Sequence, residues 1–391
     1  MINKATYRIY ISCPPGLEPA LSGELAVLGL YAAAGASREV APAHAGEETG
    51  GFEVEGTLDD IYRCNLQLRT ASRVLVRLGN FYAAAFSELR KKASRLPWEG
   101  FIQPGSNLLF SVTCHKSRLY HSDGVAERVL GAVNDHFKQT GQTYCTSLKD
   151  KPGQLILVRL DHDACTISID SSGELLHRRG YRLAAAKAPL RENLAAGILL
   201  SCGWDGNFPL IDPFCGSGTI PIEAGLIANQ IAPGIAREFQ FAHWPLHREE
   251  QWRSILQTAR SSIAMSDTLL LGSDRDEGAI ESATANASRA GLKGHISFIR
   301  QAVSSLEAPD KPGWIVTNPP YGVRVSQGKD LRDLYARFGS IFKQSFAGWN
   351  LAILSSSDTL IANLGLGAPS RSIRLVNGGI PVKLSIYPYT A

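Results

Sequence analysis

The sequence lacks any apolar run close to the ~20 residues that a membrane-spanning helix needs. Its hydrophobic share of 44% and charged share of 19% are those of a soluble globular protein. The first residues, Met1 to Cys13, alternate like a strand and lack the apolar core of a signal peptide. These absences together lead us to expect a cytoplasmic protein.

Paired cysteines are missing as well. The seven cysteines are odd in number and scattered along the chain, and none of them forms a CxxC pair. This pattern indicates neither a disulfide framework nor a structural zinc site, so we predict no metal.

A strong net charge is the third absence, because the whole chain carries only +4. Charge is unevenly spread, however. From Asp60 to Asp163 there are 15 Lys and Arg against 9 acids, which gives +6. Such a local excess suits a phosphate backbone, although a solvated basic face explains it equally well. The candidate phosphate contacts in this segment are Arg90, Lys91, Lys92, Arg95, Lys116 and Arg118.

At 391 residues the chain is too long for one ordinary domain. Residues 1–60 and 61–165 each read as a small α+β unit. From 166 to 391, strand-like and helix-like segments alternate, which predicts a doubly wound α/β domain with helices on both faces of a parallel sheet. A polar excursion that contains tryptophan, residues 236–266, interrupts this alternation.

The first strand of this α/β region is predicted at Pro209 to Asp212, and a turn rich in glycine follows it. Gly216 and Gly218 let the backbone approach a ligand closely, and the helix that begins at Thr219 offers free N–H groups to a carboxylate or phosphate. A purely structural turn is the alternative, and no Walker Gly-Lys-Ser/Thr follows. The candidate ligand-binding residues of this turn are Asp212, Phe214, Cys215, Gly216, Ser217, Gly218 and Thr219.

Asp274 ends the next parallel strand, where a carboxylate can hold the two hydroxyls of a ribose. Its distance along the chain from the glycine turn exceeds the ~20 residues of a dinucleotide fold. The excursion at 236–266 accounts for the difference.

A rigid corner, Thr317 to Gly322, follows another apolar strand. Its two prolines fix two φ angles and remove two backbone donors. Asn318 brings an amide that both donates and accepts, and Tyr321 brings a flat aromatic face. A planar ligand that carries an amino group would suit such a corner.

The chain resembles the S-adenosylmethionine-dependent amino-methyltransferases in three segments taken together: Asp212 to Thr219, Gly272 to Asp276 and Asn318 to Gly322. Two further segments, Leu176 to Arg182 and Ala188 to Glu192, resemble the THUMP-containing RNA N2-guanine methyltransferases. That family includes the amino-terminal methyltransferase of a bacterial large-subunit ribosomal RNA enzyme. The resemblance implies a ferredoxin-like unit at 1–60, a THUMP-like RNA-binding domain at 61–165 and a class I, Rossmann-like methyltransferase domain at 166–391.

The same resemblance implies the chemistry. The cofactor would be S-adenosyl-L-methionine, with its methionine end over the glycine turn and its ribose near Asp274. The target amino group would donate its hydrogens to the Asn318 side chain and to the Pro319 carbonyl, and Tyr321 would stack on the base. Asn318 would also border the cofactor. The family usually has an acid for the adenine where this chain has Gln301, whose amide oxygen is the expected substitute.

The function that the resemblance implies is methyl transfer to guanine N2 of structured RNA, with 23S ribosomal RNA favoured over transfer RNA. The alternatives are a transfer RNA guanine-N2 methyltransferase, a DNA or RNA adenine-N6 methyltransferase and a non-catalytic RNA-binding protein of ribosome assembly. Arg178, Arg179 and Arg182 could contact RNA phosphate, cap the cofactor pocket or form a charged surface hairpin.

Overall fold

The computed structural model describes residues 5–31, 50–138, 143–182, 190–321 and 331–389, which are organised around two sheets. The strands are β1 (Tyr7–Cys13), β2 (Gly50–Gly56), β3 (Arg73–Tyr82), β4 (Leu108–His115), β5 (Gln154–Asp161), β6 (Ala164–Asp170), β7 (Leu210–Asp212), β8 (Leu270–Asp274), β9 (Ser297–Arg300), β10 (Trp314–Thr317), β11 (Asn350–Ser355), β12 (Arg371–Asn377) and β13 (Ile380–Tyr387). The helices are α1 (Glu18–Val27), α2 (Leu58–Gln67), α3 (Phe86–Ala93), α4 (Ser122–Lys138), α5 (Glu192–Cys202), α6 (Thr219–Ala228), α7 (Glu249–Ser261), α8 (Glu277–Arg289), α9 (Arg332–Ser345) and α10 (Asp358–Ala362).

The first sheet has six strands in the order β2-β1-β3-β6-β5-β4. Its pairs are antiparallel except for β4 and β5, which run parallel. Strand β3 pairs with β1 on one side and with β6 on the other. Both predicted amino-terminal units therefore contribute to one continuous sheet, and β6 extends beyond residue 165 to Asp170.

The second sheet has seven strands in the order β12-β13-β11-β10-β7-β8-β9. Strands β7 to β11 run parallel to one another, and β13 is antiparallel to both of its neighbours. From β7 the chain moves outwards to β8 and β9, and it then crosses to β10 on the other side of β7. The strand order reverses between β7 and β10, which confirms the predicted doubly wound α/β fold.

The sequence Ser-Ser-Gly at 171–173 predicts a hairpin turn with residues 174–177 as its second arm, and this local prediction is wrong. Residues 174–177 form no strand, because the segment before them is bonded to the first sheet. The Ser172 side chain accepts a hydrogen bond from the Val74 N–H at 2.9 Å, and the Leu176 N–H donates to Ser72. The region 236–266 is also more than a polar excursion, because Phe241 and Trp244 are buried in the main core and α7 packs on α2.

The two sheets share one apolar core. A single cluster of buried residues includes Ile9 of β1 and Val74 of β3 as well as Leu210 of β7 and Leu270 of β8. None of the helices in the described part of the chain combines the length and apolar composition that crossing a membrane requires.

Candidate active site

The glycine turn leaves β7 at the edge where the strand order reverses. Gly216 and Gly218 have φ angles of 52° and 81°, which glycine adopts without the strain of a side chain. A Cβ on Gly218 would lie 2.9 Å from the Cβ of Ala283, whereas one on Gly216 would meet no atom within 4 Å. Gly218 is thus needed for packing, and Gly216 borders open space.

Strand β8 holds the glycine turn in place. The Cys215 N–H donates to the Ser273 carbonyl at 3.0 Å, and the Gly216 N–H donates to Oδ2 of Asp274 at 3.1 Å. Oδ1 of Asp274 accepts from the Asp276 N–H at 3.0 Å. Each oxygen of this half-buried carboxylate therefore has one backbone donor and keeps a further lone pair for a ligand.

Asp212 joins the glycine turn to the proline corner. Its Oδ1 accepts hydrogen bonds from the Thr317 hydroxyl at 2.6 Å and from the Phe214 N–H at 3.1 Å. Asp212 and Thr317 are both buried. Burial raises the pKa of the Asp212 carboxyl to about 7, and the nearby Asp274 adds to this rise. The hydrogen bonds from Thr317 and Phe214 oppose it. The sequence places Thr317 at the start of the corner, but its contact with Asp212 was not predicted, because the two residues are 105 positions apart.

The proline corner presents one polar atom without a partner. Oδ1 of Asn318 is buried and accepts no hydrogen bond within the described residues. The backbone around it is fixed, because Thr317 is bonded to Asp212 and the Tyr335 hydroxyl donates to the Pro320 carbonyl at 3.3 Å. A buried acceptor without a donor costs free energy, and a ligand N–H would remove that cost.

Tyr321 is half-buried at the end of this corner. It packs against the core that the two sheets share and against a second apolar cluster, which includes Ile315 and Phe338. Its hydroxyl oxygen accepts a hydrogen bond from Nδ2 of Asn377 at 3.0 Å. Burial raises the pKa of the Tyr321 hydroxyl, and the bond from Asn377 opposes that rise. The contact was not predicted, because Asn377 and Tyr321 are 56 positions apart in the sequence.

The remaining residues of the turn have separate roles. The ring of Phe214 meets that of Phe338 edge-on, with centroids 5.6 Å apart. The Ser217 carbonyl accepts from Nδ2 of Asn286 at 3.0 Å. The Cys215 thiol is buried, and burial raises its pKa well above the ordinary value, so it is held as a neutral packed group.

Gln301 follows β9 beside Asp274, whose carbonyl accepts the Gln301 N–H at 2.9 Å. Its side-chain Nε2 donates to the Ser305 carbonyl. Because the donor end of the amide is used within the loop, the oxygen is the end left to accept from a ligand.

The structure corrects the prediction that Arg179 and Arg182 contact RNA. Arg179 is 4% exposed, donates to the Leu176 carbonyl at 2.6 Å and pairs with the buried Glu223 at 3.5 Å. Arg182 donates to the Thr219 hydroxyl at 2.5 Å and pairs with Glu192 at 3.3 Å. Arg182 thus lies against the first residue of α6, at the glycine turn.

Arg178 differs from these two arginines. Its side chain is 63% exposed and pairs with Glu174 at 3.1 Å. Its location at the surface is compatible with the prediction that it contacts RNA.

The predicted cations of the amino-terminal half divide into three groups. Arg90 and Lys92 are engaged with Asp135 and Glu88, at 2.6 Å in each pair. Arg118 is 74% exposed and lies 3.8 Å from Asp163. The remaining three are exposed and are called the exposed cation set below: Lys91, Arg95 and Lys116.

One group of three metal-capable side chains lies together among the described residues: His115, Asp161 and His162. Nδ1 of each histidine is within 2.9 Å of Oδ1 of Asp161, and Arg159 approaches the other oxygen of that carboxylate at 3.4 Å. This group belongs to the first sheet, whereas the glycine turn and the proline corner belong to the second.

Three family models match the chain. The RMKL-like methyltransferase domain matches residues 179–386, the RlmL ferredoxin-like domain matches 8–75 and the THUMP domain matches 83–170. The catalytic-domain model alone covers more than half of the 391 residues.

Curated relatives match over nearly the whole chain. Ribosomal RNA large subunit methyltransferase K/L of Syntrophotalea carbinolica is 36% identical over 97% of this chain and 53% of its own length. A protein of Synechocystis sp. that is provisionally named an RNA methyltransferase is 34% identical, over 98% of this chain and 97% of its own. The chain spans about half the length of the K/L relatives that it matches.

Solved structures share the entire architecture. SMU.472, provisionally described as a methyltransferase and complexed with SAH, is 28% identical with a TM-score of 0.86 over 100% of both chains. A Listeria monocytogenes protein described as a predicted N6-adenine-specific DNA methylase is 31% identical, with a TM-score of 0.86 over 99% of this chain and 97% of its own.

Proposed function

Because this chain belongs to the RMKL-like methyltransferase family, we propose that it transfers a methyl group from S-adenosyl-L-methionine to the exocyclic N2 of guanine in 23S ribosomal RNA. The observation that carries the proposal is the buried, unpartnered Oδ1 of Asn318 at the carboxyl end of β10. It lies at the point where the strand order reverses, which is where open α/β sheets bind ligands.

The residues of the glycine turn fit the proposed cofactor. Open space borders Gly216, and the N-terminus of α6 attracts a carboxylate such as that of the methionine portion. Arg182 holds Thr219, the first residue of α6, by a hydrogen bond to its hydroxyl, and the lone pairs left on Asp274 suit ribose hydroxyls. When bound, the cofactor supplies an electrophilic methyl group on a sulfonium. The oxygen of Gln301 would accept from the adenine amino group in place of the acid usual in the family.

The proline corner would hold the base. An exocyclic amino group is a poor nucleophile, because its lone pair is delocalised into the ring. The Oδ1 of Asn318 and the Pro319 carbonyl would accept its two hydrogens and keep the nitrogen oriented, while the ring of Tyr321 stacks on the base. This is catalysis by positioning and electrostatics, without a covalent intermediate.

RNA would be recognised by the amino-terminal sheet, whose family model is the THUMP domain. The exposed cation set, Arg118 and Arg178 would contact phosphates by charge and shape. The engaged cations Arg90 and Lys92 contribute less, because their carboxylate partners already neutralise them.

Incubation with methyl-labelled cofactor and deproteinised ribosomal or transfer RNA, followed by nucleoside analysis, tests the proposal. We expect N2-methylguanosine in 23S ribosomal RNA. Recovery of N6-methyladenosine would instead assign the corner to adenine, which the same Asn-Pro-Pro-Tyr chemistry also serves.

The variant Asn318→Ala should lower kcat by about a hundredfold or more, because an acceptor aimed at the reacting group is removed. Asn363→Ala is the matched control, since Asn363 is half-buried after α10 and, among the described residues, its amide donates to the Thr359 carbonyl alone. Equal activities of these two variants would refute the role of Asn318. RNA binding without transfer by the parent protein would favour a non-catalytic role in ribosome assembly.

A further inference from the structure

The carboxyl-terminal hairpin reaches over the active-site edge of the second sheet. Strands β12 and β13 are joined by Gly378 and Gly379, whose φ angles of 57° and 83° form a tight two-residue turn. The last pair of β11 with β13 is Ser355 with Lys383, at the carboxyl end of β11. Residues 380–382 continue beyond it, so the hairpin extends roughly 10 Å past the strand ends.

Asn377 closes this hairpin and contacts the proline corner. It pairs with Ile380 immediately before the turn, which fixes its backbone. Its Nδ2 donates to the Tyr321 hydroxyl oxygen at 3.0 Å, across 56 residues of sequence. Tyr321 itself lies outside the strands and helices, because it follows two prolines after the end of β10, and its ring packs against both apolar clusters.

We propose that Asn377 is a positioning residue that fixes the orientation of the Tyr321 ring against the target base. This inference rests on the proposed function, which assigns the stacking role to Tyr321. Hydrogen bonds already hold the Thr317 side chain and the Pro320 carbonyl, but neither bond involves the Tyr321 ring. The bond from Asn377 is the contact that holds its far end.

The arrangement has a chemical consequence. Since the hydroxyl of Tyr321 accepts from Asn377, the ring cannot rotate about its Cα–Cβ bond without breaking that hydrogen bond. A restrained ring loses less conformational entropy when a base stacks on it, and it presents one face at a defined angle. The hairpin thereby connects the end of the chain with the substrate side of the site, while the glycine turn serves the cofactor side.

A double-mutant cycle on Asn377→Ala and Tyr321→Phe tests this role. Both single variants remove the same hydrogen bond and keep the aromatic ring, so each should lower kcat about five- to tenfold. The double variant should be no worse than either single variant, because the bond is already absent from each. The dissociation constant for S-adenosylhomocysteine should stay at the parent value, whereas a general loosening of the domain would raise it. The melting temperature should fall by no more than the about 1–6 °C that loss of one hydrogen bond costs, and by the same amount in all three variants.

Additive losses in the double variant, or an unchanged kcat in Asn377→Ala, would overturn the inference. Asn363→Ala again serves as the matched control for an asparagine elsewhere in the same domain. The cycle is measured on whichever methylated nucleoside the parent protein forms, so an error in the base assignment does not affect it.

A second measurement is independent of catalysis. The protein is labelled with 3-fluorotyrosine, and the ¹⁹F resonance of Tyr321 is assigned by its loss in Tyr321→Phe. Asn377→Ala should move this resonance towards its position in the unfolded protein, and an unchanged resonance would contradict the positioning role. If the parent transfers no methyl group, the proposed function fails, and this spectrum still decides whether Asn377 orients the ring.

Discussion

The bond between Thr317 and Asp212 joins the two halves of the site, and Thr317→Val removes it while keeping the side-chain volume. The hydroxyl donates to Oδ1 of Asp212 at 2.6 Å, and both side chains are almost completely excluded from solvent. Loss of a hydrogen bond to a buried charged group costs about 1.5–3 kcal/mol, and loss of one to a neutral group costs about 0.5–1.5 kcal/mol. The cost therefore depends on whether Asp212 is ionised.

The pH dependence follows from the pKa of Asp212. In the folded protein this pKa is raised to about 7 from an ordinary value of 3.8. Because the folded state binds the proton more tightly, stability falls as the pH rises between these values and levels off above about 7. The bond from Thr317 opposes the rise in pKa, so the variant should have a higher pKa and should continue to lose stability above pH ~7.

Calorimetric melting of the parent and Thr317→Val at about pH 5 and about pH 8.5 measures this difference. A cost of 1 kcal/mol lowers the melting temperature by about 2–4 °C in a domain of this size. We expect a fall of about 1–6 °C at the lower pH and about 3–12 °C at the higher one. Thr317→Ser is the control, because it keeps the hydroxyl and loses only a buried methyl, a cost that does not vary with pH.

The result that would refute this reasoning is a melting difference of equal size at both pH values. A Thr317→Ser variant with the same pH dependence as Thr317→Val would also refute it, since its hydroxyl can still donate to Asp212.

Three further predictions concern the cofactor and the RNA. Binding of the cationic cofactor should release a proton from Asp212 below pH ~7, so the binding heat observed by calorimetry should differ between buffers of different ionisation enthalpy. The same observed heat in every buffer would exclude this proton release. Arg182→Leu leaves Glu192 buried without its partner, so it should weaken cofactor binding tenfold or more while the Kd for RNA is unchanged. Weaker RNA binding with unchanged cofactor binding would instead make Arg182 an RNA contact. Replacing the exposed cation set by alanine should weaken RNA binding and reduce the salt slope by about 0.7–0.9 for each phosphate that is no longer neutralised; an unchanged slope would show that these side chains are merely solvated.

The two ends of strands that form the site could be predicted from the sequence because parallel strands are buried on both faces. The apolar runs before Asp212 and Asn318 therefore show where each strand ends, and the glycines and prolines that follow show that the chain turns sharply there. Nothing in such local patterns specifies which distant residue will meet the site. The contact of Asn377 with Tyr321 depends on where a hairpin 56 residues away is placed by its pairing with β11.

The arginines after residue 177 show the opposite limit. A run of positive charge predicts a solvated or phosphate-binding surface, but Arg179 and Arg182 have buried carboxylate partners on α6 and α5. Glu223 and Glu192 read as ordinary polar positions of helices in the sequence. Only the packing of those helices against the entry segment converts the basic run into buried ion pairs.

The single ladder through β1, β3 and β6 has a consequence for how the amino-terminal half can move or be divided. The regions that match the ferredoxin-like and THUMP models meet within this one sheet. A hinge between them would have to break the main-chain bonds of β3 to β1 or to β6. Expressing residues 61–165 alone would strip β1 from β3 and expose a new strand edge, which invites aggregation. The ferredoxin-like and THUMP regions, which match two separate family models, should therefore move as one rigid unit.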